Sequence, residues 1–130
     1  MLSADEMTLF AASYFDELVS IASHLGVKVV FTSGIKSPFP ARKANIIYDF
    51  FYAVIEWSAR RECSGMLANL KVAAGEGGLH LMLPQEALAF VPDSGLLAAI
   101  HAAGGVYALQ DLEDTVGISL SFGKGGEANG

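Results

Sequence analysis

The stretch Gly95-Leu96-Leu97-Ala98-Ala99-Ile100-His101-Ala102-Ala103-Gly104-Gly105 is followed by Val106-Tyr107-Ala108-Leu109 and then by Thr115-Val116-Gly117-Ile118-Ser119-Leu120-Ser121-Phe122. The first run is apolar and stops at a double glycine, which predicts a short helix with a left-handed C-terminal stop. Asp93 or Ser94 stands where an N-cap belongs. The next two runs predict strands, joined by the tight acidic turn Asp111-Leu112-Glu113-Asp114.

Upstream of that ending, Ser3-Ala4-Asp5-Glu6 has capping-box spacing. Met7, Phe10, Ala11, Tyr14, Phe15, Leu18, Ala22 and Leu25 then recur every three or four residues, which predicts one long helix stopped by Gly26. Residues 27–32 are β-branched and short, so they read as a strand, and 33–40 read as a loop because prolines 38 and 40 deny both helix and ladder. From Ala41 to near Arg61 the 3.6-residue period returns, with Ile46, Ile47, Phe50, Phe51, Val54, Ile55 and Ser58 on its buried face. Residues 66–73 and 79–83 read as paired strands, with Gly75-Glu76-Gly77-Gly78 as their turn. Residues 84–92 fit no element clearly.

The order is therefore α-β-α-β-β-α-β-β. It predicts an α/β (α+β) two-layer sandwich, with about five strands in a mixed sheet and three helices on one face. Residues 1–122 form a single domain on this reading, and 123–130 a flexible tail.

Composition narrows the function. The chain has 130 residues, 52% hydrophobic and 17% charged, which fits a compact globule rather than disorder. A net charge of −6 without a Lys/Arg cluster beyond Arg60-Arg61 argues against a nucleic-acid partner. No apolar run reaches the roughly 20 residues that span a bilayer, so direct membrane insertion is not expected. The acidic N-terminus does not resemble a secretory signal. One cysteine, Cys63, excludes an internal disulfide and a Cys-cluster metal site, and a reducing cytoplasmic setting fits. His24, His80 and His101 share no metal-ligand spacing, so no metal site is expected.

The order of elements, with the helix, double glycine and closing hairpin, resembles the GHKL (Bergerat-type) ATP-binding domain of sensor histidine kinases. The resemblance spans roughly residues 15–122 and implies three nucleotide-binding motifs. The first, on the second helix, resembles N/E-x-x-x-N-A-x-K/R-H/Y. Its counterpart is Asp49-Phe50-Phe51-Tyr52-Ala53-Val54-Ile55-Glu56-Trp57. Asp49 matches the family's acid or amide, but Ala53 replaces the asparagine that holds Mg²⁺, and a methyl group ligates no hard cation. Glu56 replaces a base. The adenine-binding D-x-G-x-G is replaced by Leu83-Pro84-Gln85-Glu86-Ala87-Leu88-Ala89, in which only Gln85 offers an amide. The lid shrinks to the eleven residues 84–94, with Gly95 alone at the phosphate end and Asp93 beside it.

The resemblance thus implies a degenerate histidine-kinase-type domain acting as a signalling or protein-interaction module in two-component-type signal transduction. No cofactor is expected and no residue is catalytic. The partner is a sensor kinase or response-regulator-type protein, with a homodimer also open. Tyr52, Trp57 and Arg60 lie off the apolar stripe of their helix and are expected to form the interaction surface. The alternative is a divergent, active histidine kinase domain binding Mg-ATP through Asp49, Ala53, Gln85 and Gly95, with Asp49 as the acid. A further alternative is a small α/β domain of some other fold.

Overall fold

A computed structural model describes residues 7–8, 12–37, 39–63, 65–74 and 76–123. In chain order the elements are strand β1 (Met7–Thr8), helix α1 (Ala12–His24), β2 (Lys28–Ile35), β3 (Phe39–Pro40), α2 (Ala41–Arg60), β4 (Gly65–Ala73), β5 (Glu76–Pro84), a 3-10 turn (Gln85–Ala89), α3 (Ser94–Ala102), β6 (Gly105–Asp111) and β7 (Thr115–Phe122). The main sheet has five strands in the order β2-β4-β5-β7-β6. Only the β2–β4 pair of this sheet is parallel, so the sheet is mixed, as expected.

The inner face of the sheet is set by strict alternation. Met66, Ala68, Leu70 and Val72 on β4, Leu79, Leu81 and Leu83 on β5, and Val116, Ile118, Leu120 and Phe122 on β7 are all buried. Against them lies α2, whose buried residues run Ala44, Ile46, Ile47, Phe50, Phe51, Val54, Ile55, Trp57 and Ser58. That set is wider than one stripe, because α2 is flanked as well as backed. Helix α1 closes one flank through Phe15, whose ring stacks on Phe31 of β2 at 5.8 Å and on Phe51 of α2 at 6.1 Å. Phe90 closes the other. Cys63, just past α2, is buried, and burial is the first cause that pushes its thiol pKa up.

The double glycine ends α3 for two separate reasons. Gly104 takes φ +79°, a left-handed conformation that a Cβ would strain. Gly105 is extended, and a Cβ there would meet Phe122 Cε1 at 2.7 Å and Ile100 Cγ2 at 2.9 Å. The cap at the other end is Asp93, whose Oδ2 accepts from the amides of Gly95 (2.9 Å) and Leu96 (3.2 Å).

Three local expectations are corrected. The long first helix does not reach back to Met7, because Met7–Thr8 is extended and pairs antiparallel with Phe39–Pro40. The capping box at 3–6, Phe10 and Ala11 lie outside the described residues. The loop expected at 33–40 is shorter than its prolines imply: β2 continues to Ile35 because its parallel partner β4 offers ladder positions that far. The β4–β5 turn also tightens. Ala73 pairs with Glu76, so Gly77 and Gly78 belong to the strand. The tail at 124–130 lies outside the described residues.

Candidate functional site

The nucleotide motifs implied by the resemblance fall on the middle of α2, the 3-10 turn after β5 and the start of α3. Asp49 and Ala53 sit one helical turn apart on α2. Asp49 is exposed, its carboxylate makes no hydrogen bond or ion pair among the described residues, and partial burial raises its pKa. Ala53 is half-buried and brings no oxygen to the position.

Gln85 opens the 3-10 turn, and its Nε2 donates to Asp111 Oδ1 at 3.1 Å, a contact that joins the turn to the end of β6. Because the nitrogen must face the carboxylate, the amide orientation is fixed, and Oε1 is left buried with no partner among the described residues. Asp111 also accepts from the Glu113 amide at 3.0 Å. The Gln85 hydrogen bond, and then that amide, hold its carboxyl below the usual range. The acidic loop is thus a hydrogen-bonded hairpin turn. Among the described residues no group of three His, Cys, Asp or Glu side chains is placed to hold a metal.

Gly95 is exposed, and its amide is taken by Asp93. Two amides at the start of α3 that would face an anion are therefore satisfied by a carboxylate of the chain itself. Beside them, Phe90 packs edge-on against Phe50 at 6.2 Å and against Trp57 at 5.7 Å, while Tyr107 of β6 meets Phe50 at 5.7 Å. An aromatic cluster thus fills the flank of α2 next to the would-be adenine motif. The Tyr107 hydroxyl has no hydrogen-bond partner among the described residues, and desolvation raises its pKa.

This cluster corrects one expected surface residue. Trp57 is only 9% exposed, with Phe90 on one side and the Arg61 guanidinium 5.2 Å from its ring centroid. The helix stripe alone did not reveal this, since the covering residue comes from a segment with no periodicity. Tyr52 and Arg60 remain exposed on α2. Phe90 is the residue that sequence reasoning missed, and its one signal was a large aromatic in an otherwise illegible loop.

By sequence, no family model matches the chain, and no curated protein matches it significantly. By structure, it is similar to the histidine kinase domain of the Erythrobacter litoralis EL346 blue-light activated histidine kinase. That match has a TM-score of 0.68 at 9% identity and covers 99% of this chain and 68% of the other. It is similar to the Acinetobacter baumannii histidine kinase AdeS, with a TM-score of 0.65, 14% identity and coverage of 92% and 67%. The histidine kinase domain of the Escherichia coli osmosensor EnvZ gives 0.61 at 10% identity, over 95% and 91%. The chain has the fold of histidine kinase catalytic domains, the GHKL or Bergerat fold. Among the described residues no helix is long and apolar enough to cross a membrane.

Proposed function

We propose that this chain is a histidine-kinase-type domain that has given up nucleotide and works as a protein-interaction module in two-component-type signalling, in a cytoplasmic setting. The observation that carries the reading is the Asp93 cap: its carboxylate holds the Gly95 and Leu96 amides, where a phosphate would have to compete with a fixed negative charge. Ala53 adds the loss of a metal oxygen, and each forfeited charge-assisted contact is worth about 1.5–3 kcal/mol. The residues present therefore do not fit Mg-ATP. The working surface on this reading is Tyr52 and Arg60 on the exposed side of α2, facing a sensor kinase, a response-regulator-type protein or a second copy.

A second reading, a divergent active kinase domain, is favoured by one observation. The buried, unpartnered Oε1 of Gln85 is an acceptor of the kind an adenine amino group requires. Asp49, unpaired on α2, would then be the acid.

Titration calorimetry with ATP and with ADP, each with and without Mg²⁺, separates the two. The expected result is no heat and no thermal shift at millimolar nucleotide. Micromolar, Mg²⁺-dependent binding that Gln85→Ala abolishes would overturn the first reading in favour of the second.

A further inference from the structure

The helices cover one face of the sheet, and among the described residues nothing covers the other. Strand register sorts its side chains into cross-strand rows. Val30, Leu67 and Met82 form an apolar row, exposed by 49%, 52% and 42%. Thr32, Asn69, His80 and Ser119 form the next row, and Lys71, Gly78 and Ser121 the one after it.

Two hollows lie along these rows. One, of about 330 Å³, is lined by Val30, Leu67, Met82 and the Thr32–Asn69 pair. The other, of about 390 Å³, surrounds Gly78 and is lined by Lys71, Ser121 and Glu76 among others. His80 lines both. From Leu67 to Lys71 the strand advances about 13 Å at roughly 3.3 Å per residue.

The polar groups differ in what they have left to offer. Asn69 Nδ2 donates to Thr32 Oγ1 at 2.7 Å, so that pair largely satisfies itself. The side chains of Lys71, His80 and Ser121 make no hydrogen bond or ion pair among the described residues. Gly78 opens the second hollow without a backbone reason. Its φ is not in the left-handed region, and an added Cβ would meet Leu120 O and Ser121 Cβ at 3.4 Å and His80 Nε2 at 3.6 Å, contacts a side chain tolerates with a small adjustment. Glycine in mid-strand weakens a sheet, so the hollow comes at a cost in stability that the fold itself does not demand.

We propose that this open face binds a medium-chain aliphatic carboxylate, its tail over Val30, Leu67 and Met82 and its head at Lys71, His80 and Ser121. The tail shields the apolar row from water, and the head meets three unsatisfied groups able to donate. Glu76, which lines the same hollow opposite in charge to Lys71, disfavours a head carrying more than one negative charge. The site lies on the face opposite α2 and α3, so it is independent of whether nucleotide binds.

The test is two-dimensional amide NMR of the full 130-residue chain titrated with decanoate, decylammonium and acetate in parallel. Decanoate is expected to shift the amides around Leu67, Lys71, Gly78 and Met82, with acetate and decylammonium leaving them in place. Lys71→Gln should weaken binding about tenfold or more, the loss expected for one charge-assisted hydrogen bond. Gly78→Val should abolish it by filling the hollow. Lys71 is exposed, so its variant keeps the test valid even where Gly78→Val does not fold. Equal shifts from decylammonium, shifts scattered over the helices, or wild-type affinity in Lys71→Gln would overturn the proposal.

Discussion

Phe90 stands edge-on to Trp57, with ring centroids 5.7 Å apart and planes at 83°, and the same Phe90 ring meets Phe50 at 87°. A residue just past the 3-10 turn thus seals the flank of α2 with two edge-to-face contacts, each worth about 0.5–1.5 kcal/mol beyond the area it buries. The consequence is that the loop after the 3-10 turn is anchored at Phe90, which is 4% exposed, beside the region a nucleotide motif would occupy.

Trp57→Ala and Phe90→Ala are each expected to destabilise the domain by about 3–5 kcal/mol, the usual cost of emptying an aromatic core site. The double variant should lose less than the sum, because both remove the same contact. Urea denaturation of the four proteins measures this. Strict additivity would mean that the two rings do not share a contact in solution.

Asp93→Ala should cost about 0.5–2 kcal/mol through loss of the α3 cap, whereas Asp93→Asn should retain most of it. Thermal melts of both variants decide the matter. Equal losses would show that charge, rather than the hydrogen bonds to Gly95 and Leu96, is what counts there.

Gly77 faces Phe39, and a Cβ at that position would lie 2.7 Å from the ring atoms Cε1 and Cζ. Gly77→Ala should therefore destabilise by about 1–3 kcal/mol through overpacking. Combining it with Phe39→Leu should recover part of that loss, read as a rise in the denaturation midpoint over the single variant.

The Gln85–Asp111 contact makes a pH-dependent prediction. Asp111 has a folded-state pKa below its unfolded one, first because Gln85 donates to it and then because the Glu113 amide does. Its stabilisation is thus fully present above the ordinary carboxylate pKa of about 3.9 and is lost as pH falls through the lower folded value. Gln85→Ala should lower the melting temperature at neutral pH, and the gap from wild type should close on acidification below that range. A gap that stays constant down to acid denaturation would show that Gln85 acts by packing alone.

Each of the five strands of the main sheet was legible in the sequence, since alternation on β4, β5 and β7, the β-branched run on β2 and the run after the double glycine on β6 are local signals. A cap at Asp93 or Ser94 and the double-glycine stop were legible for the same reason, being set by chemistry within a few residues, and the structure assigns the cap to Asp93. The candidate site was legible only as missing parts, such as the methyl of Ala53 where a metal oxygen is implied. Trp57 was misread because its burial depends on Phe90, 33 positions further along the chain, and no periodicity connects the two.

The sequence by itself determined the three helices and the five strands of the main sheet, their order, and hence a mixed-sheet sandwich, because helix and strand periods, caps and glycine stops act over a few residues. Only the tertiary structure decided how residues distant in the chain meet. It turned Met7–Thr8 from helix to strand by pairing it with Phe39–Pro40. It fixed Gln85 to Asp111, packed Phe90 over Trp57, and aligned Val30 with Leu67 and Met82 on an uncovered face. Those outcomes rest on register and on the packing of separate elements, and neither is encoded in any single stretch of chain.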